Sequence, residues 1–188
     1  SALEAAGGGA VRGTARAGGL EILINNASEF PVGKLEELTL EQVTQNLEVN
    51  AWAPFALMRE FARRVGCGKI VNLLDTRIRG YDWAHAAYIL SKHMLAQLTR
   101  MAALEFAPQI TVNAVAPGLI LAPEGKDEQY LERLKGTVPL KRQGKMGLAQ
   151  DVAAAVVFLL KSDFITGQVV YVDGGRHLRE VEDGSDTD

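Results

Sequence analysis

Two residues one helical turn apart point to acid–base chemistry. Tyr88 and Lys92 stand four positions apart, a spacing that places both side chains on one face of a helix. A phenol has a pKa near 10, and an ammonium group within about 4–6 Å favours the phenolate and lowers that pKa. The pair could therefore donate a proton to a developing oxygen or nitrogen anion. Alone it is weak evidence, because this spacing is also common on ordinary helix faces.

Two further polar residues could complete such a site. Asp75 ends a predicted strand 13 residues before Tyr88, where its carboxylate could position a substrate amine, pass a proton or simply cap a loop or helix. Asn50 lies in a predicted helix, four residues before Pro54, and proline has no N–H for the carbonyl of residue 50. That carbonyl could hold a water that relays protons to Lys92, or the proline could only kink the helix.

The hydrophobic pattern predicts the elements that carry these residues. Strands are predicted at Leu20–Asn25, Lys69–Asp75, Ile110–Ala116 and Gln168–Val172, and helices at about 39–65, 82–106, 127–135 and 149–161. Strands that alternate with helices through short connections indicate an α/β fold with a parallel sheet. Ligands bind such sheets at the carboxyl ends of the strands. Those ends here are Asn25-Asn26-Ala27-Ser28, Leu74-Asp75, Pro117-Gly118 and Asp173-Gly174.

A set of motifs between Leu20 and Leu178 matches one family in order and spacing. The motifs are Asn25-Asn26-Ala27, Asn50, Asp75, Tyr88-x-x-x-Lys92, Pro117-Gly118, Thr166-Gly167 and Asp173-Gly174-Gly175. Together they resemble the second half of a short-chain dehydrogenase/reductase. The resemblance implies a doubly wound, Rossmann-like parallel sheet and an NAD(P)-dependent oxidoreductase.

The resemblance also implies a role for each matching residue. Tyr88 would be the general acid/base, Lys92 would lower its pKa and bind the nicotinamide ribose, and Asn50 would hold the relay water through its carbonyl. The cofactor-binding set would comprise Asn25, Ala27, Ser28, Tyr88, Lys92, Pro117 and Gly118. Asn25 and Ala27 would line the adenosine side, and Pro117 and Gly118 would contact the nicotinamide through backbone groups.

Two departures from the usual family pattern are similar to the pteridine reductase branch. Asp75 stands where the family usually has serine, and Ser28 followed by Glu29-Phe30 replaces the usual glycine. By that resemblance Phe30 would stack on a pterin ring, Ser28 would hydrogen-bond the pterin or the cofactor, and Asp75 with Tyr88 would deliver a proton while NADPH gives hydride. Phe30 could instead be a hydrophobic staple for the next helix. A carbonyl or sugar reductase is the nearest alternative.

The first half of the family pattern has no counterpart in this sequence, so one flank of the predicted sheet is expected to be uncovered. That half carries the glycine-rich turn that holds the pyrophosphate and the residues that select NADP over NAD; NADP is expected and NAD is the alternative. Twelve of residues 1–19 are Gly or Ala, and this segment is expected to be a loose helix remnant or disordered. Residues 20–178 are expected to form the catalytic half of the domain, and residues 179–188 an acidic tail. A non-catalytic interaction module is the remaining alternative.

Composition limits the remaining function classes. The 188 residues have a net charge of −3, without the basic patch that nucleic acid requires, and no apolar run has the length of a membrane span. Cys67 is the single cysteine, which excludes an intrachain disulfide and favours a cytoplasmic protein. The three histidines lack metal-ligand spacing, and His85 and His93 are expected at the surface or in loops. The family resemblance implies a homotetramer formed through helices 39–65 and 82–106.

Overall fold

A computed structural model describes residues 19–80, 84–122, 128–140 and 147–178. Within these ranges, four parallel strands form one sheet in the order β1-β2-β3-β4. They are β1 (Ile22–Asn25), β2 (Gly68–Leu73), β3 (Ile110–Pro117) and β4 (Val169–Val172). The predicted α/β fold is confirmed. Of the expected terminal segments 1–19 and 179–188, residues 1–18 and 179–188 lie outside the described residues.

The helices are α1 (Leu40–Leu47), α2 (Ala53–Val65), α3 (Ala86–Glu105), α4 (Glu128–Leu134) and α5 (Ala149–Lys161). The expectation of one regular helix over 39–65 is wrong, because a π-helical turn at Glu48–Trp52 separates α1 from α2. In this turn the Ala53 N–H donates to the Glu48 carbonyl, five residues back. The turn ends two residues before Pro54, whose missing N–H interrupts the α-helical hydrogen-bond ladder.

Local sequence determines where these helices begin and end. Thr39 and Gln42 form a capping box at the start of α1. The Thr39 N–H donates to Gln42 Oε1 at 2.9 Å, and the Gln42 N–H donates to Thr39 Oγ1 at 3.2 Å. Gly66 ends α2 in a left-handed conformation with φ of 77°. His85 is the residue before α3. The earlier start predicted for this helix, at residue 82, falls partly on residues 81–83, which are outside the described ranges.

Helices cover both faces of the sheet, as the resemblance to a doubly wound fold implied. On one face, α2 and α3 pack on β1, β2 and β3 around Met58, Ile70, Leu95 and Val112. On the other face, α5 packs on β2, β3 and β4 around Val71, Val115 and Leu159. Because β2 and β3 are covered on both faces, most of their side chains are apolar. Two exceptions, Asn72 and Asn113, are buried and hydrogen-bonded.

Strand β1 lies at one edge of the described sheet, and its α5-side face is open. Ile22 and Ile24 project from that face and remain 44% and 45% exposed. Leu23 and Asn25 project from the opposite face, toward α2 and α3. An uncovered flank was expected from the lack of the family's first half.

Candidate active site

Tyr88 and Asp75 meet at the carboxyl end of β2. The Tyr88 hydroxyl donates to Asp75 Oδ2 at 2.9 Å, and the Arg77 N–H donates to Asp75 Oδ1 at 2.8 Å. Asp75 is the N-cap of a short 3-10 helix, Thr76–Arg79. The capping interpretation of Asp75 is therefore confirmed. Its other oxygen faces the phenol, and a role with substrate or in proton transfer stays a prediction. The predicted strand end at Asp75 is corrected to Leu73, because capping takes residue 75 out of the ladder.

Lys92 lies beneath this pair and is 2% exposed. Its Nζ donates to the Leu73 carbonyl at 2.9 Å and lies 5.6 Å from the centre of the Tyr88 ring. Burial lowers the pKa of Lys92 from its ordinary value to about 8, although the Asp75 carboxylate acts in the opposite direction. The i, i+4 spacing thus brings Tyr88 and Lys92 together, as predicted, in a partly buried site that also contains Asp75.

Phe30 forms an aromatic wall beside Tyr88. Its ring stacks on the His85 ring at a centroid distance of 3.9 Å and meets the Tyr88 ring edge-on at 4.6 Å. The Arg77 guanidinium carbon lies 4.7 Å from the Phe30 ring centre. His85 is half-buried, so its expected surface or loop position is only partly right. Neither His85 nor Arg77 was identified as a site residue from the sequence. Their contacts with Phe30 join segments that are distant in the chain, and no local sequence pattern indicates such contacts.

The Asn50 side chain joins three segments around the site. Its Oδ1 accepts from the Glu29 N–H at 2.8 Å and from Ser28 Oγ at 3.1 Å. Its Nδ2 donates to Glu29 O at 2.8 Å, Ser91 Oγ at 3.0 Å and Asn46 Oδ1 at 3.1 Å. Asn50 is fully buried, so these bonds replace its hydration. This side-chain function was missed, because the sequence argument considered only the carbonyl of residue 50.

At the carboxyl end of β1, the candidate cofactor residues differ in exposure. Ala27 and Ser28 are exposed and open to a ligand. Asn25 is buried, and its Nδ2 donates to Asn72 Oδ1 at 2.7 Å. The side chain of Asn25 therefore links β1 to β2, while its cofactor-binding role remains a prediction. The backbone after Asn25 carries the exposed part of the motif.

Pro117 and Gly118 lie at the carboxyl end of β3, beside β4. The Gly118 N–H donates to the Val172 carbonyl at 3.0 Å. A Cβ atom at position 118 would lie 2.5 Å from the Asp173 Cβ atom, so close packing alone requires glycine here. Because the Gly118 N–H is already bonded to Val172, the predicted backbone contact with a nicotinamide would have to use polar groups of this turn other than that N–H.

The residues that meet directly are Tyr88, Asp75, Phe30 and, beneath them, Lys92. Asn50 is joined to them through its hydrogen bond to Ser91, the residue before Lys92 in α3. Within the described residues, Asn50 and Lys92 do not hydrogen-bond to each other directly. Those residues also contain no group of three or more His, Cys, Asp or Glu side chains that could hold a metal ion. No helix in the same ranges is long and apolar enough to cross a membrane.

Comparison of the sequence with models of known protein families identifies the family of this chain. Residues 9–177 match a family model described as enoyl-(acyl carrier protein) reductase, which covers most of the chain. The chain belongs to the short-chain dehydrogenase/reductase family. It is thereby assigned to the NAD(P)-dependent short-chain oxidoreductases.

Several short-chain dehydrogenases/reductases of named activity are similar in sequence. Pteridine reductase 1 of Leishmania tarentolae is 34% identical, with 86% of this chain and 64% of that protein covered. Dihydromonapterin reductase of Klebsiella pneumoniae is 32% identical, with coverage of 86% and 68%. The putative ketoacyl reductase 2 of granaticin polyketide synthase, from Streptomyces violaceoruber, is 33% identical, with coverage of 86% and 68%. The chain thus spans about two thirds of the length of these relatives.

Solved structures agree with this assignment. FolM alternative dihydrofolate reductase 1 from Brucella suis, in complex with NADP, superposes with a TM-score of 0.86 at 30% identity. The alignment covers 95% of this chain and 72% of that one. The corresponding protein from Brucella canis, also complexed with NADP, gives a TM-score of 0.83 at 28% identity, with 96% and 72% covered. The family and these neighbours support a nicotinamide cofactor.

Proposed function

We propose that the protein is an NADPH-dependent reductase of dihydropterins. The observation that carries the proposal is the 2.9 Å hydrogen bond from the Tyr88 hydroxyl to the Asp75 carboxylate. Relatives named pteridine reductase and dihydromonapterin reductase, and neighbours that contain NADP, support the pterin and the cofactor. The 188-residue chain would supply the catalytic part of the site.

The residues of the chain fit the nicotinamide end of the cofactor. An ammonium has three N–H donors, and Lys92 uses one of them on Leu73 O, which leaves donors for ribose hydroxyl groups. Ala27 and Ser28 are exposed at the neighbouring strand end and would hold the cofactor there, while Pro117 and Gly118 would border it. When bound, NADPH supplies the hydride.

The chain's own residues would deliver the proton. Reduction of a C=N bond adds hydride to carbon and a proton to nitrogen. The Tyr88 hydroxyl gives that proton, the positive charge of Lys92 stabilises the phenolate that remains, and solvent returns a proton to it. Before transfer, Asp75 holds the hydroxyl in place, and the same carboxylate can accept a hydrogen bond from an amino group of the substrate.

Phe30 would provide the flat surface on which a pterin ring stacks. One of its faces is already covered by His85, and the Arg77 guanidinium lies over the ring. A pterin on the remaining face would therefore displace Arg77 from the ring. The hydrophobic-staple interpretation does not require contacts with His85, Tyr88 and Arg77, so this environment favours a substrate-binding role.

A carbonyl or sugar reductase is the second candidate. Relatives named as a putative ketoacyl reductase and as an NAD-dependent glycerol dehydrogenase of Listeria innocua favour it. In that case Asp75 would merely replace the usual serine. Because a carboxylate only accepts hydrogen bonds, the carbonyl oxygen would receive its hydrogen bond from the Tyr88 hydroxyl. We also propose that the protein is cytoplasmic, because Cys67 is an exposed free thiol. We further propose a homotetramer, because α3 carries exposed apolar side chains that a subunit contact could cover.

A substrate panel tests the proposal. The protein expressed from its complete reading frame is assayed for oxidation of NADPH and NADH with a dihydropterin, dihydrofolate and simple ketones. We expect the highest kcat/KM with a dihydropterin and NADPH; faster turnover of ketones would instead favour the second candidate. Titration of NADPH fluorescence with the 188-residue chain tests the interaction-module alternative, against which saturable binding would count.

A further inference from the structure

The turn that carries Asp75 is anchored by a residue almost a hundred positions away. The hydroxyl of Thr76, the residue next to Asp75, donates to Asp173 Oδ2 at 2.6 Å. Thr76 is buried, and the Asp173 side chain is 2% exposed. This bond joins the end of β4 to the 3-10 helix that Asp75 caps, so it acts on the backbone from which the Asp75 carboxylate extends.

Asp173 itself is held rigidly. Its Oδ1 accepts from the Gly175 N–H at 3.0 Å, and its Oδ2 accepts from the His177 N–H at 2.7 Å and lies 2.8 Å from His177 Nδ1. Burial alone would raise the pKa of Asp173, but hydrogen bonds from Thr76, His177 and Gly175 hold it below its ordinary value. The carboxylate is therefore a fixed anionic acceptor rather than a mobile surface charge.

The anchor also adjoins the end of β3. Gly118 approaches Asp173 so closely that any Cβ atom there would overlap it. The position of Asp173 is thus fixed by β3 on one side and by the Gly175–His177 turn on the other. Thr76 transmits that fixed position to Asp75, whose Oδ2 must stay within hydrogen-bonding distance of the Tyr88 hydroxyl.

We propose that Thr76 and Asp173 are positioning residues for the Asp75–Tyr88 pair. Neither needs to touch the substrate. Their hydrogen bond limits rotation of the turn after β2 and keeps the carboxylate aligned with the phenol, an alignment on which proton delivery depends. The inference rests on the proposed role of Asp75 and Tyr88 but not on the identity of the substrate.

The test compares Thr76→Val with Thr76→Ser and with Thr166→Val. Valine removes the hydroxyl at nearly constant shape, and serine restores it. Thr166 is the matched control: its Oγ1 accepts from the Val112 N–H at 3.1 Å, away from the carboxyl ends of the strands. We expect Thr76→Val to lower kcat about tenfold or more while the KM for NADPH stays nearly unchanged. The variant should remain folded, although loss of a buried hydrogen bond to a carboxylate should lower its melting temperature. Thr76→Ser should recover most of the rate, and Thr166→Val should keep it.

Asp173→Asn provides a second variant on the same bond. If the two residues act together, the double variant Thr76→Val with Asp173→Asn should lose little more rate than the worse single variant. A wild-type rate in Thr76→Val, or an equal loss in Thr166→Val, would overturn the inference. The rates are measured with whichever substrate the wild-type protein turns over, so a failure of the pterin proposal is seen separately, in the wild-type panel.

A crystal structure of Thr76→Val gives a readout that needs no turnover. The inference predicts that Asp75 Oδ2 moves out of hydrogen-bonding distance of the Tyr88 hydroxyl, or adopts more than one conformation. An unchanged, singly ordered Asp75–Tyr88 bond would contradict it even if the wild-type protein proves inactive with every substrate tried.

Discussion

Lys92 is a buried cation whose charge state should set the alkaline limit of activity. Burial lowers its pKa to about 8, so the ammonium is present below that pH and is lost as the pH rises through it. Stabilisation of the Tyr88 phenolate and hydrogen bonding to the cofactor both need the charge. We therefore predict that kcat/KM falls above about pH 8, measured as NADPH oxidation across a pH series.

The control for this prediction is Lys92→Arg, because a guanidinium stays protonated throughout the range. The variant is expected to be slower, but whatever activity remains should show no decline with an apparent pKa near 8. An alkaline decline that is identical in the wild type and in this variant would assign it to another group.

Asp75 should determine which substrate class is reduced. Its carboxylate accepts from Tyr88 and can accept from the amino group of a pterin, whereas a serine hydroxyl could donate to a carbonyl oxygen. We predict that Asp75→Ser lowers kcat/KM for a dihydropterin by roughly 100-fold, at the lower end of what one acid–base group contributes, while turnover of a simple ketone is kept or improved. Equal losses for both substrates would contradict the assignment.

Sequence spacing predicted the central residues but not their neighbours. Tyr88 and Lys92 share a helix face, and Asp75 follows a strand at the edge of the sheet where ligands bind, so local rules suffice for these three. Arg77 and His85 reach the site through contacts with Phe30, which lies in a distant segment of the chain. No periodicity or motif encodes such a contact, and only the folded chain reveals it.

At the scale of elements, the Asn50 side chain ties the π-helical turn to α3 and to the segment after β1. We predict that Asn50→Ala lowers the free energy of unfolding by about 1–3 kcal/mol, because the buried Asn46 and Ser91 side chains and the Glu29 backbone lose hydrogen bonds. Urea unfolding followed by circular dichroism measures the change. The matched control is Asn26→Ala, at an exposed position, and a loss as large there would contradict the prediction.

The elements themselves were largely predictable, and the exception has a physical cause. The α5 helix matches its predicted bounds, and the parallel strands differ by at most two residues at either end. The π-helical turn was not predicted, because the apolar pattern of 39–65 continues through it. Pro54 indicated that the hydrogen bonding of the helix is interrupted near residue 50. The sequence alone did not distinguish a proline kink from a π-helical turn, in which one extra residue is accommodated.

At the scale of the whole molecule, the exposed apolar side chains of α3 support the proposed tetramer. Leu104 is 84% exposed, and Leu90 and Met101 are about half exposed. Their spacing places them on one face of α3, as expected of apolar side chains that a subunit contact covers. We predict that Leu104→Glu shifts the protein to smaller assemblies in size-exclusion chromatography with light scattering. A monomeric wild-type protein, or an assembly unchanged in this variant, would contradict this use of α3.

The chain spans only part of its relatives, and the fold reflects this. Strand β1 forms an edge of the described sheet and leaves Ile22 and Ile24 partly exposed, while the carboxyl edge keeps Asp75, Tyr88 and Lys92 in contact. The sequence predicted both features, because it contains the motifs of the family's second half without those of the first. It could not predict the bond between Thr76 and Asp173, which only folding brings together.

The most direct test of the account is the rate of Tyr88→Phe. The substitution removes one hydroxyl from a buried ring and leaves its packing against Phe30 in place, so the fold should be retained, as judged by circular dichroism and the melting temperature. With a dihydropterin and NADPH, we predict that kcat falls by at least about 100-fold. A folded Tyr88→Phe variant that turns over at close to the wild-type rate would show that the phenol does not deliver the proton.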